Sequence, residues 1–449
     1  MGQPVRNIIK DTHPELKNET FITLLVDGNN LLRICFADDK LNSDGVHYGG
    51  VFQFLLQLRE MIKKIDNRLA YIYVFFDGHK SGLERYKIYN GYKANREDKD
   101  YASMLKETEQ DLEEKSEYWK QFNALVDKMQ KKHFKSKYNS GRKQPLNAEE
   151  KRYVAEYKVR NITEAGLFKI FEQDRVKEII RVAEKEMLDE NFARERDILL
   201  KCFNELYIRW IFDDNDATEG DDYISYYVKN KKPEERIIIM STDEDITQLI
   251  SDTVCIYDKK KNSYVSHKNY LKLKGFTYEN VVLKKIICGD TSDNIKNISG
   301  VSEKRLLELV PEIATRKVTL DEVKEKAQQA IDERLSQKKN PLQWHKNIVD
   351  GVYNGEYEGD IYEINEKLVD LSNPLITKEA KEELDSMMYT AQDTEGRSFE
   401  NLYKIMREEK IEELCDEKKF STFFEPFKPI VNKEITKFNK ENRKNWFGF

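Results

Sequence analysis

The chain has 449 residues, of which 35% are charged, and its formal net charge is −6 at pH 7. This length accommodates two or three domains, and the negative charge excludes a uniformly basic nucleic-acid-binding protein. The five cysteines are scattered without a C-x-x-C pair, so we expect free thiols in a reducing compartment. No apolar run approaches the ~20 residues that cross a bilayer, and we therefore expect a cytoplasmic protein without a membrane partner.

Short apolar runs rich in β-branched and aromatic residues predict strands, and helical patterns lie between them. These runs are residues 22–26, 71–76, 209–212 and 237–240. Strands that alternate with helices are typical of a parallel sheet covered on both faces. We therefore expect an α/β fold with a mainly parallel central sheet flanked by helices. Ligand sites in such sheets form beyond the carboxyl ends of the strands.

Composition divides the chain into three regions. Residues 1–276 hold the strand signals, with a charged helical insertion at about 105–205. Residues 277–425 lack strong strand signals and predict a helical C-terminal domain. Residues 426–449 are basic, end in "NWFGF", and are expected to be flexible.

Nine acidic residues lie at or near the ends of predicted strands or in the helical region that follows. They are Asp27, Asp77, Glu219, Asp221, Asp222, Asp243, Asp245, Asp290 and Asp293. One isolated aspartate of this kind is ordinarily a turn or helix-cap residue. The joint pattern predicts one site, because carboxylates that converge at a sheet edge cannot all stay ionised without cations. Hard divalent metals prefer such oxygen ligands. Enzymes that hydrolyse phosphodiester bonds commonly use a pair of these metal ions.

A basic segment rich in aromatic residues follows Asp77. It contains Lys80, Arg85, Lys87, Lys93 and Arg96, interleaved with Tyr86, Tyr89 and Tyr92. Cations bind phosphates and aromatic rings stack on unpaired bases, which favours a nucleic-acid contact. The alternative is an amphipathic surface helix whose aromatic rings pack on the core. The insertion also has two interpretations. Its residues 128–160 carry eleven Lys or Arg against three Glu. They form either a solvated helix face or a DNA-facing surface.

A glycine turn opens an amphipathic helix in "SGVSEKRLLEL", directly after "GDTSDNIKNI". Such a turn presents backbone amides to phosphates. Gly300, Ser302, Lys304 and Arg305 are the candidate contacts to one strand of a duplex. The alternative is an ordinary corner between two helices.

The motifs "VDGNN", "FFDG", "YKANR", "EGDD", "STDED" and "GDTSDNI" occur in this order. As a set they resemble the 5′-nuclease superfamily, which includes flap endonucleases, the 5′-nuclease domain of bacterial DNA polymerase I and phage 5′–3′ exonucleases. Within it, the chain is most similar to the ribonuclease H proteins of T-even-like bacteriophages. The resemblance covers roughly residues 20–310 and is interrupted by the insertion. It implies a PIN-like nuclease domain followed by a helical region with a helix–hairpin–helix element.

The resemblance also implies roles for these residues. One Mg²⁺ or Mn²⁺ would be held by Asp27, Asp77, Glu219 and Asp221, and a second by Asp221, Asp222, Asp243, Asp245, Asp290 and Asp293. Lys93 and Arg96, with Arg85, would act on the scissile phosphate. A K⁺ ion is implied at the hairpin, but "GVS" replaces the family's "GIG", and Ser302 adopts positive φ less readily than glycine.

The predicted activity is that of a monomeric, divalent-metal-dependent 5′–3′ exonuclease or flap endonuclease, in the host cytoplasm if the protein is viral. Its substrates would be DNA and RNA–DNA hybrids with 5′ ends or flaps, as in primer removal and replication intermediates. The aromatic tail suggests a sliding clamp or single-strand-binding protein as partner. Two alternatives stay open: a PIN-type ribonuclease, which lacks the duplex hairpin, and a non-catalytic, structure-specific DNA-binding protein.

Overall fold

A six-stranded, mainly parallel sheet forms the centre of the computed structural model, which describes residues 21–65, 68–94, 151, 172–355 and 359–447. The strands are β1 (Phe21–Asp27), β2 (Leu69–Phe75), β3 (Arg209–Ile211), β4 (Glu235–Met240), β5 (Val254–Asp258) and β6 (Ser263–Val265). Their order is β3-β2-β1-β4-β5-β6, and β6 alone among these strands runs antiparallel to its neighbour. The predicted fold class is confirmed.

Helices cover both faces of this sheet. In the described residues they are α1 (Gly28–Cys35), α2 (Gly49–Ile65), α3 (Leu83–Ile88), α4 (Gln173–Glu205), α5 (Gly220–Asn230), α6 (Tyr270–Lys274), α7 (Val281–Cys288), α8 (Glu303–Leu309), α9 (Leu320–Ser336), α10 (Gln343–Asp350), α11 (Ile361–Val369), α12 (Lys378–Met387), α13 (Phe399–Glu408), α14 (Glu417–Phe424) and α15 (Lys428–Phe447). Among the helices that the structure describes, we find none long and apolar enough to span a bilayer.

Strand β1 is apolar along its length because both of its faces are buried. Leu25 packs into the hydrophobic core on one face, while Leu24 and Val26 pack into the core on the other. This alternation follows from the twofold side-chain period of a strand. The predicted strands at 22–26, 71–76, 209–212 and 237–240 correspond to β1–β4, whereas β5 and β6 were not predicted because they are short and bounded by polar residues.

The two cores do not follow the predicted domain boundary at residue 276. The region after this boundary is helical, as expected, but α7–α12 share a core with Leu25 and Phe75 of the sheet. On the other face, Phe424 and Phe427 pack in the same core as Phe54. The C-terminal helices therefore complete both faces of the sheet instead of enclosing a core of their own.

Helix α4 corrects the expected extent of the insertion. Ile198, Leu199, Cys202 and Phe203 are almost fully buried against the sheet, so the last turns of α4 belong to the central fold. The basic run at 128–160 lies outside the described residues, apart from Lys151. Its predicted DNA-facing role stays a prediction.

Helix α15 occupies most of the tail that we expected to be flexible. Ile430 and Val431 are buried, and the Glu434 carboxylate accepts two hydrogen bonds of 3.0 Å from the guanidinium of Arg209. The sequence signal for this helix was the spacing of apolar residues at its start, which the basic composition obscured. Of the tail's aromatic residues, Phe449 lies outside the described chain.

We predict that Glu434→Ala lowers the free energy of unfolding by about 3–5 kcal/mol, because the Arg209 guanidinium would be left buried without its counter-charge. Both side chains of this pair are 2% exposed. Urea unfolding followed by circular dichroism measures the change. The control is Glu400→Ala, which removes an exposed pair with Lys404 on α13 and should leave the midpoint unchanged. Equal midpoints for both variants would contradict the role of the Arg209 pair.

Candidate active site

Seven of the nine predicted acidic residues line one cavity of about 160 Å³ at the carboxyl ends of the strands. They are Asp27, Asp77, Glu219, Asp221, Asp243, Asp245 and Asp293. The cavity lies beside the ends of β1 and β4, where the order of the parallel strands reverses. Sites in open parallel sheets form at this switch point because the connecting loops diverge there.

Asp27 and Asp77 are held by short hydrogen bonds from neighbouring loops. Asp27 accepts from the backbone N–H of Asn30 at 3.0 Å and from Ser241 Oγ at 2.9 Å. Asp77 accepts from the backbone N–H of Gly220 at 2.7 Å and from Asn29 Nδ2 at 3.2 Å. Asp27 is therefore both the N-cap of α1 and a cavity residue. The interpretation of this aspartate as a helix cap and its interpretation as a site residue are both correct.

Asp243 and Asp245 follow β4 in a turn and not in an extended segment. The backbone N–H of Asp245 donates to Asp243 Oδ1 at 2.9 Å, and a 3₁₀ helix begins at Asp245. Residues two apart share a direction in an extended strand, but here the turn sets their positions. Both side chains nevertheless line the cavity.

The carboxylates of this cavity repel one another. Burial, together with the charges of Asp77 and Asp243, raises the pKa of Asp27 to about 7. Burial and the same neighbouring charges raise the pKa of Asp221 well above its usual range. Burial also raises the pKa of Glu219, but Lys93 and Arg85 outweigh that effect and lower it to about 2. The carboxylate of Glu219 thus has nearby positive charges, whereas Asp27 and Asp221 lie in an excess of negative charge.

Arg85 lines the cavity and holds two of the predicted acidic residues. Its Nη1 donates to Glu219 at 2.6 Å and to Asp222 at 2.5 Å, and its Nε donates to the Leu368 carbonyl oxygen at 2.9 Å. The side chain is buried, so its contacts favour a positioning role over the predicted contact with a phosphate.

Asp222 and Asp290 lie outside the cavity lining. Asp222 is fully buried and accepts from Arg85 and from the backbone N–H of Leu375 at 3.0 Å. Its carboxylate is satisfied by these donors, which argues against the predicted role as a metal ligand. Asp290 binds the ammonium of Lys285 at 2.6 Å.

Lys285 is a buried cation that the sequence interpretation missed. Its ammonium hydrogen-bonds to Asp245 as well as to Asp290, and so joins the cavity to the loop before the hairpin. Burial raises the pKa of Asp290, but the nearby Lys285 ammonium lowers it to about 2. Lys284 and Lys285 are adjacent in the otherwise apolar helix α7, and the sequence interpretation treated neither lysine as buried, since lysines are usually solvated.

The basic segment divides between the core and the cavity. Tyr89 and Tyr92 are buried in the core, as the alternative interpretation predicted, and are therefore not available to stack on bases. The Tyr92 hydroxyl donates to Glu219 at 3.0 Å, and the Lys93 ammonium bonds to the same carboxylate. Arg96 lies outside the described residues.

Two further predicted DNA-contact residues stay at the surface. Lys80 and Lys87 lie before and on α3, outside the cavity lining, and Lys87 pairs with Glu84 at 2.6 Å. Arg33, Asn29 and Asn30 also line the cavity. Arg33 belongs to no motif that would select it, and the two asparagines resemble ordinary turn formers.

A divalent-metal site in a protein brings several donor side chains around one point. Within the described ranges, no group of three or more His, Cys, Asp or Glu side chains has that geometry. The ammonium groups of Lys93 and Lys285 bond to the carboxylates instead. The chemistry of the donors does fit divalent metals, because the cavity collects hard oxygen ligands whose mutual repulsion cations would relieve.

The predicted hairpin contains the expected turn. Gly300 has φ of 78°, whereas Ser302 has φ of −126° and caps α8 by accepting from the Arg305 N–H at 3.4 Å. The replacement of glycine by serine therefore causes no backbone strain, contrary to our expectation. The Arg305 guanidinium donates to the Gly300 carbonyl, and the Lys304 side chain is 86% exposed.

Comparison with known proteins finds similarity over part of the chain. Residues 22–138 match the family model of the 5′–3′ exonuclease N-terminal, resolvase-like domain. The resemblance of the chain to the 5′-nuclease superfamily, predicted from its motifs, is thereby confirmed.

Individual relatives share parts of the chain. The chain is 37% identical over 87 residues to the 5′–3′ exonuclease of Mycoplasmopsis pulmonis, covering 19% of this chain and 29% of the relative. It is 35% identical over 106 residues to the ribonuclease H of Enterobacteria phage T4, covering 23% and 33%. The chain thus spans about a third or less of these curated relatives. A structure of the bacteriophage T5 5′-exonuclease with zinc ions aligns with a TM-score of 0.45 at 14% identity, covering 86% of this chain and 97% of that one.

We predict that Lys285→Ala increases the stabilisation of the protein by divalent cations. Without this ammonium, Asp245 and Asp290 keep uncompensated charge, so the variant should melt below the wild type in metal-free buffer. Added Mn²⁺ should then raise its Tm by more than it raises that of the wild type, by about 1 °C for each kcal/mol of extra binding free energy in a chain of 449 residues.

Differential scanning fluorimetry with and without Mn²⁺ measures both changes. The matched control is Lys284→Ala, which removes the neighbouring lysine and its 3.1 Å pair with Glu303 outside the cavity. An Mn²⁺ shift in Lys285→Ala no larger than that of the control would contradict the prediction.

Proposed function

We propose that the protein is a divalent-metal-dependent 5′ nuclease that hydrolyses phosphodiester bonds in DNA and RNA–DNA hybrids. The observation that supports this most directly is the convergence of seven carboxylates from five chain segments on one cavity. Negative charge collected in this way has no structural benefit, since carboxylates repel both one another and a nucleic-acid backbone. It becomes useful when cations bridge the carboxylates and the substrate phosphate.

Two groups of residues would hold the ions, Mg²⁺ or Mn²⁺. Asp27, Asp77, Glu219 and Asp221 form the first group. The second group is Asp221 with Asp243, Asp245 and Asp293. When bound, a pair of such ions activates water for attack on phosphorus and stabilises the leaving 3′ oxygen.

Lys93 would act on the scissile phosphate. Its ammonium is anchored to Glu219 and lies 4.8 Å over the ring of Tyr92, so it is held at the cavity without being buried in the core. A fixed cation at this position stabilises the charge that develops on the phosphate oxygens during cleavage. Arg96 is proposed for the same role by its place in "YKANR".

The hairpin would bind the duplex next to the cleaved bond. Gly300 forms a left-handed turn at the exposed start of α8, and the exposed Lys304 supplies a positive charge beside it. Substrates with 5′ ends or flaps, as formed in primer removal and other replication intermediates, fit a cavity placed beside a duplex-binding element. A monomeric state, K⁺ at the hairpin, a sliding clamp or single-strand-binding partner for the tail and a cytoplasmic location stay predictions.

The alternatives differ in outcome. A PIN-type ribonuclease would cleave single-stranded RNA and ignore flap DNA. A non-catalytic binding protein would bind flap DNA and cleave nothing in Mg²⁺ or Mn²⁺. The hairpin argues against a PIN-type enzyme and against single-stranded substrates, because backbone amides in such a turn bind the phosphates of a duplex.

We predict that Asp77→Asn reduces cleavage of end-labelled flap DNA by about 100-fold or more, because the amide keeps the shape of the carboxylate but removes its charge. Binding of the same DNA in Ca²⁺, which serves as a non-catalytic ion, should change little. Flap, nicked-duplex and RNA-primed substrates are compared with and without Mg²⁺.

The control for this substitution is Asp252→Asn, which changes an exposed aspartate whose side chain is 87% accessible. Full cleavage by Asp77→Asn in Mg²⁺ would remove this residue from the metal site. Absence of cleavage by the wild-type protein on every substrate would favour the non-catalytic alternative.

We predict that Lys304→Ala weakens duplex binding equally for all sequences. The logarithm of the affinity should fall less steeply with the logarithm of salt concentration, by a slope change of about 0.9, because one phosphate contact is lost. Fluorescence anisotropy at several salt concentrations measures the slope. Lys378→Ala on α12, also exposed and paired loosely with Glu382, is the control. An unchanged slope for Lys304→Ala would place the duplex elsewhere.

A further inference from the structure

The segment that carries Lys93 is joined to the loop before the hairpin by two hydrogen bonds to backbone carbonyl oxygens and by a longer one, of 3.4 Å, from the Tyr92 hydroxyl to the Asp293 carboxylate. The backbone N–H of Lys93 donates to the carbonyl oxygen of Asp293 at 2.9 Å. Nδ2 of Asn294 donates to the carbonyl oxygen of Gly91 at 2.7 Å. These two hydrogen bonds hold the segment at both Gly91 and Lys93. They therefore fix the direction of the chain between these residues.

The backbone at both ends of this junction is left-handed. Lys93 has φ of 53° and Asn294 has φ of 59°. Asparagine tolerates this conformation, but for lysine it is unfavourable and persists where the surrounding structure enforces it. The turn at Lys93 therefore depends on the contacts that hold its neighbours.

The amide of Asn294 is oriented by a second contact. Its Oδ1 accepts from the Lys296 ammonium at 2.8 Å, which leaves Nδ2 to face the Gly91 carbonyl. This amide has one orientation because both of its polar atoms are hydrogen-bonded. If its oxygen and nitrogen were exchanged, the oxygen would face the Gly91 carbonyl oxygen and the NH₂ group would face the Lys296 ammonium. The donor to Gly91 is therefore fixed in place.

The turn directs the Lys93 side chain into the acidic cavity. The ammonium bonds to Glu219, and the side chain is 13% exposed. A rotation of the backbone at this residue would move the ammonium away from Glu219 and from the carboxylates beyond it. The position of the charge is thus set by the backbone that Asn294 holds.

We propose that Asn294 is a positioning residue for phosphodiester cleavage, whose amide holds Gly91 so that the turn at Lys93 presents its ammonium to the scissile phosphate. This inference rests on the proposed nuclease function. Asn294 lies outside the cavity lining and acts through Lys93. Since its loop continues to Gly300, the same hydrogen bond links the duplex-binding hairpin to the cleavage site.

Two substitutions separate the amide from the backbone. Asn294→Gly keeps the left-handed conformation and removes the donor. Asn294→Asp keeps the size of the side chain but turns an acceptor toward the Gly91 carbonyl. The matched control is Asn262→Gly, since Asn262 is also left-handed, with φ of 47°, and its side chain accepts from Tyr257 in the turn between β5 and β6.

Steady-state and single-turnover cleavage of flap DNA in Mn²⁺ measure the effect, and anisotropy in Ca²⁺ measures binding. Both Asn294 variants should lower kcat by roughly 10- to 100-fold, the loss expected when a reacting group is displaced by about 1 Å. KM and the Kd for flap DNA should change less than about threefold. Asn262→Gly should match the wild type.

A double-mutant cycle with Lys93→Ala tests the route of the effect. If Asn294 acts through Lys93, Asn294→Gly should have almost no further effect in the Lys93→Ala background. The same loss in both backgrounds would overturn the inference, as would wild-type kcat in both single variants or losses confined to binding. Thermal unfolding of each variant sets an assay temperature at which all are folded. Failure of the wild type to cleave is a separate result that rejects the proposed function itself.

Discussion

Repulsion among carboxylates at one edge of the sheet is the interaction on which the rest of the site depends. Placing several of them in a partly buried cavity costs free energy unless opposite charges or hydrogen-bond donors lie close by. Among the described residues, Arg85, Lys93 and Lys285 form ion pairs with acidic residues of the site, and Arg33 also lines the cavity. Arg85 and Lys93 come from the basic segment after Asp77 and Lys285 comes from α7, so neutralising the site also ties distant parts of the chain together.

The C-terminal helices take part in this arrangement. Arg85 donates to the carbonyl of Leu368 at the end of α11, and Asp222 accepts from the backbone of Leu375 in the segment that follows. The cation that supports the acidic cavity is therefore itself held by the C-terminal region. This explains why the helices after residue 276 share the cores of the sheet and do not form a separate unit.

Much of the fold and of the acidic site was readable from the sequence, because continuous apolar strands and carboxylates at their ends are local patterns. The central strands were predicted correctly, and seven of the acidic residues line one cavity. Lys285 was missed and the burial of Arg85 was not predicted, because the sequence does not reveal whether a charged side chain is buried. The same limit applies to Tyr92, whose ring fits a core and a stacking surface equally well. Helix α15 was missed because a few apolar residues in a basic tail are a weak signal.

The last turns of α4 have a consequence for how this protein tolerates change. Glu195 bonds to the ring of His47 and to the backbone N–H of Val51, and Phe203 closes the hydrophobic contact with the sheet. These anchors lie just before β3, which pairs with β2, so they join chain segments that lie on either side of the insertion. Substitution of Glu195 or Phe203 would therefore loosen the packing of α4 on the sheet that carries the acidic residues.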